Sequence, residues 1–511
     1  MLSLARQTEL SAVREPYIEQ TNRRPDLSRR AFLKTGALAT AGLVSGVVAH
    51  GTAQAKQDAT APRIAIVGAG LSGLVAAYQL KKAGYRANVY EAEVRIGGRV
   101  FSVPNLMAYG IVSELGGEFI DTTHTDLLGL VREFGLELID RQAETRALGF
   151  TDRFIFRGQT HTTRQVADAL APFLARMKPD SDRVAAADNY RDDPELVALD
   201  RLSVAEYLER LKVEGWLRDL LDVMYVTEFG LETGEQSALN LIDLPSMITD
   251  KNTVELFGES DERYKVQGGN QRITDTLVER LEGQIELSRR LEAISENGSG
   301  YRLTFESAGG SAKEVDADFV ILSLPFSVLR NVSLRVTLPP VTQQAIDELG
   351  YGTNAKLLLG FERRVWRDSK ASGVVFTDLP FQTTWDHGIG QRVNAGGLTV
   401  FTGGKGGLAM GQGSAVSQAS RLLPSIEVAL PGAREAWNGL VRRAQWPDMP
   451  FTRGSYACYK PGQLSAFSGV ATRPVGRLFF AGEHCSEDFQ GYMNGAAETG
   501  RRAAEGILAA L

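Results

Sequence analysis

Cysteine is nearly absent. The 511 residues hold two, Cys458 and Cys485, so no disulfide framework supports the fold, and one optional bridge between them is all the chain allows. Histidine is sparse as well, and no two of the five stand at ligand spacing, so no metal is expected. No apolar run approaches the about 20 residues of a stable membrane span. An excess of positive charge is also missing. The formal charge is −6, and residues 1–55 hold seven Arg/Lys against four Asp/Glu, so the remainder carries about −9, which argues against a nucleic-acid partner. Internal repeats and low-complexity tracts are lacking too, which excludes a solenoid and a strung-out chain of domains.

What is present begins with an address. Ser28-Arg29-Arg30-Ala31-Phe32-Leu33-Lys34 precedes a weakly apolar run from Thr35 to Ala49 and then Ala53-Gln54-Ala55, a small-x-small cleavage pattern. This order is similar to a twin-arginine export signal, with cleavage expected after Ala55. That pathway carries folded proteins, so the expected product is periplasmic or secreted, acquires its cofactor beforehand, and is free of the membrane once the signal is removed.

The rest is the composition of a globular protein, 43% hydrophobic and 23% charged with 53 glycines. It is too long for one core, and two interleaved domains are the natural expectation. Arg63-Ile64-Ala65-Ile66-Val67 reads as a strand, Leu71 to Ala83 as a helix and Ala87-Asn88-Val89-Tyr90 as the next strand. From Asp126 to about Leu221 the pattern is largely helical, with amphipathic stretches at Thr163–Met177 and at Ser203–Leu211, the latter opened by Ser203 as a cap. Strand-like segments return at Tyr301–Phe305, Phe319–Ser323, Lys356–Phe361, Leu398–Thr402 and Leu478–Ala481, and a last helix runs from about Tyr492 to Ala510.

Gly68-Ala69-Gly70-Leu71-Ser72-Gly73 lies between the first strand and the first helix, and Glu91 ends the second strand. Glycines there permit a tight turn, bring backbone amides to a pyrophosphate at a helix N-terminus, and let helix pack on strand; the acid accepts from ribose hydroxyls. Strand, helix and acid in register predict a dinucleotide site made by Gly68, Gly70, Leu71, Ser72, Gly73, Glu91 and Ala92.

Glu91-Ala92-Glu93-Val94-Arg95-Ile96-Gly97-Gly98-Arg99 resembles the glycine-doublet signature of the flavin-containing amine oxidase superfamily. Arg477-Leu478-Phe479-Phe480-Ala481-Gly482-Glu483-His484, followed by Gln490-Gly491-Tyr492-Met493-Asn494-Gly495-Ala496, resembles that family's carboxy-terminal flavin motif, and Glu114-Leu115-Gly116-Gly117-Glu118-Phe119 its second flavin loop. With a further segment at 265–269, the likeness spans essentially the whole mature chain. It implies an α/β fold in which a Rossmann-like FAD-binding domain (62–118, 265–335 and 452–511) is interleaved with an α+β substrate-binding domain (119–264 and 336–451). The FAD contacts it implies are Arg95, Gly97, Gly98, Arg99, Gly116, Gly117, Glu118, Gly482, Glu483, Tyr492 and Met493.

The resemblance also implies the catalytic residues. Lys356 lies in an apolar strand, where an ammonium is costly unless paired or deprotonated; the family's lysine holds a water near flavin N5 and assists reoxidation by oxygen. A surface-facing lysine on an edge strand is the alternative. Tyr456 and Tyr492 align with the two aromatic residues that guide the amine in monoamine oxidases; Tyr459 competes with Tyr456, and Tyr456 also reads as an ordinary core tyrosine. Some monoamine oxidases attach flavin through a cysteine where this chain has Ser455, so the FAD is expected to be non-covalent.

The activity implied is oxidative deamination of a small amine, with oxygen as acceptor and peroxide as product. L-amino acid oxidases of the venom type place an arginine where Phe119 stands, which weakens the amino acid alternative, although another arginine could reach in. Glu118, Glu487 and Asp488 would favour a cationic amine, or serve as solvated or cofactor-bonded acids. A non-catalytic flavin-binding module is the rival from another class. A homodimer is admitted by the sequence without being required.

Overall fold

Four β-branched or small apolar residues, Ile64–Val67, form a strand buried along its whole length, and the sheet is built outward from it. The computed structural model describes residues 61–243, 248–250, 253–254, 256–257, 260–307 and 312–511. The export signal expected in residues 1–55 lies outside the described residues.

Five strands make one parallel sheet in the spatial order Ile285–Glu286, Ala87–Tyr90, Ile64–Val67, Phe319–Leu322, Leu478–Phe480. Ile64 stands opposite Ala87 on one side and Phe319 on the other. A parallel sheet needs both faces covered, which is why its strands read as short continuous apolar runs rather than as alternating ones. The helix Leu71–Lys82 is buried from Leu71 through Tyr78 and again at Leu80. It packs against the last helix, Met493–Ala510. At Gly500 the approach is so close that a Cβ would come within 2.2 Å of the Ser72 carbonyl oxygen.

The described residues also form a four-stranded sheet (Ala312–Ala317, Gly300–Ser307, Arg289–Asn297, Ser333–Arg335) and a seven-stranded one. The larger sheet runs Trp437–Gln445, Ala355–Phe361, Gly396–Thr402, Thr383–Asp386, Ala371–Thr377, Thr151–Phe156, Gln159–His161. The last two strands depart from the helical pattern expected between 126 and 221. Thr151–Phe156 forms a hairpin with Gln159–His161 and is held in the sheet by parallel pairing with Ala371–Thr377, far away in the chain, a tertiary pairing that local helical periodicity does not report. The helices of that region form as expected, including Thr163–Ala185. Ser203 does cap Val204–Arg210, in a reciprocal capping box with Glu206. The mixed α/β architecture with its parallel sheet is the fold class expected from the sequence.

Candidate active site

In open parallel sheets ligands bind beyond the carboxyl ends of the strands. Val67 and Gly68, Tyr90 and Glu91, and Ser323 follow that rule by lining one cavity of about 1410 Å³. An ordinary small-molecule pocket measures roughly 300–1,000 Å³, so this one has room for a large cofactor together with a substrate.

Its walls are made by segments from both ends of the chain. Gly70 caps the first helix without a side-chain hydrogen bond, and a Cβ there would meet open space. Gly73 differs: a Cβ would lie 2.1 Å from the Gly68 carbonyl oxygen, so helix and turn close only because that position is glycine. Glu91 accepts from Ala69 N at 2.7 Å and Glu93 N at 2.8 Å. Burial pushes its carboxyl up, against the two N–H groups that favour the anion. Arg99 reaches across 384 positions to Glu483, Nη1 to Oε1 2.8 Å, and also donates to the Ser455 carbonyl. Glu483 accepts from Gly491 N at 3.0 Å, which fixes the turn before the last helix. That helix begins at Met493 with no side-chain cap, and Tyr492 and Met493 line the cavity.

Of the residues expected from sequence, Gly68, Gly70, Leu71, Ser72, Glu91, Ala92, Gly97, Gly98, Arg99, Gly116, Gly117, Glu118, Lys356, Tyr456, Gly482, Glu483, Tyr492 and Met493 all line this cavity. Gly73 and Arg95 do not. Arg95 instead shapes the glycine doublet, donating to the Gly98 and Ile96 carbonyls and pairing with Glu93.

The two tyrosines are held by one turn of helix Gly215–Phe229. Tyr456 Oη donates to the Thr227 carbonyl at 3.1 Å, and Tyr492 Oη donates to Glu228 Oε1 at 2.9 Å. Glu228 is a residue that sequence reasoning missed; no motif marks it, and its chemistry comes from burial, which pushes its carboxyl up to about 7. Beside it, burial raises Glu262 to about 8, with Arg141 opposing and the carboxylates of Glu228 and Asp121 adding. Asp121 accepts from Ser260 Oγ at 2.7 Å and from Glu262 N at 2.8 Å, and lies 3.2 Å from His124 Nε2. Asp121, Glu228 and Glu262 all line the cavity.

Lys356 is buried, which answers the edge-strand alternative: its strand has paired neighbours on both sides. Nζ donates to the Gly116 carbonyl at 2.8 Å, to Glu118 Oε2 at 3.0 Å and to the Glu114 carbonyl at 3.2 Å. Glu118, expected to face cofactor or a cationic substrate, gives its other oxygen to Lys265 at 3.1 Å. Trp385 Nε1 adds a third donor at 3.0 Å. The acids near the tyrosines are therefore Glu228, Glu262 and Asp121, while Glu487 and Asp488 stand exposed at the rim.

Phe119 lies under Arg141, whose guanidinium carbon is 3.8 Å from the ring centroid. Ser455 Oγ donates to Asn354 Oδ1 at 2.6 Å. Cys458 and Cys485 are both free and buried. Among the described residues no group of three potential ligands could hold a metal ion, and no helix is long and apolar enough to cross a membrane.

A nucleotide-sized cleft, two uncapped helix N-termini and a buried His484 with both ring nitrogens unpartnered together suit a cofactor with a pyrophosphate and a heteroaromatic ring. Comparison with known proteins names that class. The family model described as flavin containing amine oxidoreductase matches residues 71–508, and the chain belongs to this family: it is a flavin-dependent oxidoreductase. Flavin-containing amine oxidase B of Sus scrofa is 25% identical over 458 residues, 88% of this chain and 86% of that protein. An L-amino acid dehydrogenase of Synechocystis is 24% identical, covering 87% of this chain and 94% of its own. The structure of putrescine oxidase bound to putrescine superimposes with a TM-score of 0.75 at 24% identity, over 88% of this chain and 99% of that one.

Proposed function

We propose that the protein is an FAD-dependent oxidase of a cationic amine, producing an aldehyde, ammonia and hydrogen peroxide from the amine, water and oxygen. A flavin bound in this cleft would supply a hydride acceptor for the carbon bearing the amine once that amine is neutral, and a route for the electrons to oxygen. The observation that carries this reading is the pinning of Tyr456 and Tyr492 by Thr227 and Glu228, with the carboxyl groups of Glu228, Glu262 and Asp121 around them. An amine would pass between the two rings, and the acids around them, where ionised, attract its ammonium form and orient it. Lys356 Nζ is held at the opposite loop by the Gly116 carbonyl and Glu118. Arg99, Glu91, Glu483 and the two helix N-termini would hold the cofactor, non-covalently because Ser455 offers no thiol.

A second reading, an L-amino acid as substrate, has one specific support: Arg141 lies over Phe119 and lines the cavity, where a carboxylate would meet it. Its Nη1 donates to the Glu262 carbonyl at 2.5 Å and lies 4.0 Å from the Glu262 carboxyl group, while its buried Nε has no partner among the described residues and is open to a substrate carboxylate. The deciding experiment records the visible spectrum and peroxide release of the purified protein with each L-amino acid, with the amine left after its decarboxylation, and with a short diamine. Peroxide from amines alone supports the proposal; peroxide from amino acids alone transfers it to the second reading. A flavin that stays oxidised with every compound sinks both and leaves a binding module.

The Arg29-Arg30 pair and Ala53-Gln54-Ala55 support export of the loaded protein through the twin-arginine route, to the periplasm or beyond. Replacing Arg29 and Arg30 by lysine should leave the protein in the cytoplasm of its host. Undiminished export of that variant would overturn the assignment.

A further inference from the structure

We propose that Glu228 is a catalytic residue whose Oε2 takes the proton of the substrate ammonium and so delivers the neutral amine that can give up a hydride. This rests on the amine reading above and names the group that prepares the substrate.

The geometry leaves one oxygen for that task. Glu228 Oε1 accepts from Tyr492 Oη at 2.9 Å, and Oε2 has no partner among the described residues. Glu228 lines the cavity together with Tyr456 and Tyr492. The residue before it, Thr227, holds Tyr456 Oη through its carbonyl. Two consecutive residues of one helical turn therefore tie both rings, and the acid stands where the rings are anchored. An amine that passes between them meets this carboxyl.

The surroundings of Glu228 separate it from the other acids of the cleft. Glu118 is shared by Lys265 and Lys356, and Glu262 stands opposite Arg141. Among the described residues no cation is paired with Glu228. Tyr225 of its own helix, Tyr456 and Tyr492 face it, and so do two acids, Asp121 and Glu262. Asp121 is itself engaged by Ser260, the Glu262 N–H and His124. Burial pushes Glu228 up to about 7, with the Tyr492 hydroxyl opposing and Asp121 adding. The substrate ammonium supplies the positive charge that the fold does not.

The transfer balances by itself: one N–H bond of the ammonium breaks, one O–H bond forms at Oε2, and no electrons change hands. In water an alkyl ammonium and a carboxyl group differ by about six in pKa. Burial weakens the ammonium's hold on its proton and strengthens the carboxyl's, so the two are drawn together, and a neutral pair replaces two charges in a dry site.

Two measurements on flavin-loaded enzyme test this. The first uses an amine with no hydrogen on the carbon bearing nitrogen, the α,α-dimethyl analogue of phenethylamine, which has no hydride to give. At pH 8 about nine-tenths of Glu228 is ionised before binding. Infrared difference spectra on binding should lose a carboxylate band and gain a carboxylic acid carbonyl band, and E228Q should show neither change. The second follows anaerobic flavin reduction at low concentrations of the panel's amines, phenethylamine and putrescine first. Wild type should be flat between about pH 8 and 9.5. E228Q keeps an oxygen for Tyr492 but depends on amine already neutral in solution. It should run about a hundredfold slower at pH 8, rise about tenfold per pH unit, and come within about threefold of wild type at pH 10.

A carboxylate that stays ionised when the unreactive amine binds overturns the proposal. An E228Q profile parallel to that of wild type does so too, since an acid that only attracts the ammonium would change the rate by one factor at every pH in the flat range. The infrared result decides alone where E228Q fails to fold, and the pH profiles decide alone where the analogue does not bind. Loaded protein whose flavin no amine reduces sinks the amine reading itself, whereas amines that reduce it without protonating Glu228 sink only this role.

Discussion

Replacing Glu228 with glutamine should make the protein more stable and a poorer binder of cations at the same time, with both effects governed by pH. Burial lifts this carboxyl from an ordinary 4.5 to about 7, with the Tyr492 hydroxyl opposing. Between those two values the folded protein keeps a proton that the unfolded chain has released, so stability falls as pH rises through that window. The difference is about 2.5 units, or about 3 kcal/mol, absent below pH 4.5 and fully expressed above 7. Glutamine keeps the shape and an oxygen for Tyr492 without the ionisation. In thermal unfolding followed by tryptophan fluorescence, E228Q should therefore match wild type to within a constant offset near pH 4.5 and gain by a few degrees at pH 8. The functional half has the opposite sign. Wild type should bind a cationic amine about tenfold more weakly at pH 6 than at pH 8, because only about a tenth of the carboxyl is ionised at the lower value. E228Q should be weak at both. A stability difference that does not change between pH 4.5 and 8 would refute the assignment of a buried, ionisable Glu228, whatever happens to binding.

Gly73→Ala forces a Cβ into the Gly68 carbonyl, so the turn or the helix must move; flavin affinity should fall by at least tenfold, about 1.4 kcal/mol, measured by titration of the apoprotein with FAD. Because Cys458 and Cys485 are buried and unpaired, with burial pushing both thiols up, a thiol reagent should find two groups after denaturation and none before. Reductant should leave the unfolding midpoint unchanged. Phe119→Ala should remove the surface on which Arg141 rests, freeing its guanidinium and raising activity toward L-amino acids relative to amines, as a ratio of kcat/KM values.

The amino-acid sequence by itself determined the dinucleotide end of this protein. Strand, Gly68-Ala69-Gly70, helix and Glu91 fall within thirty residues of one another, and each is set by local rules: a β-branched run, a turn that only glycine allows, a helical spacing, an acid at a strand end. The strand Thr151–Phe156 shows where such rules stop: its hairpin partner Gln159–His161 is local, but the strand that ties it into the seven-stranded sheet begins at Ala371, and nothing local favours that pairing. The site divides in the same way. Lys356, Tyr456 and Tyr492 were legible through resemblance, but their partners were not. Tyr492 finds Glu228 across 264 positions, Lys265 finds Glu118 across 147, and Lys356 finds Glu118 across 238. Glu228 and Glu118 are the same residue type with opposite fates, one pushed up by burial with only a tyrosine to oppose it, the other held down by two ammonium groups. A side chain's charge is decided by what is folded around it, which is why only the tertiary structure could assign those two acids.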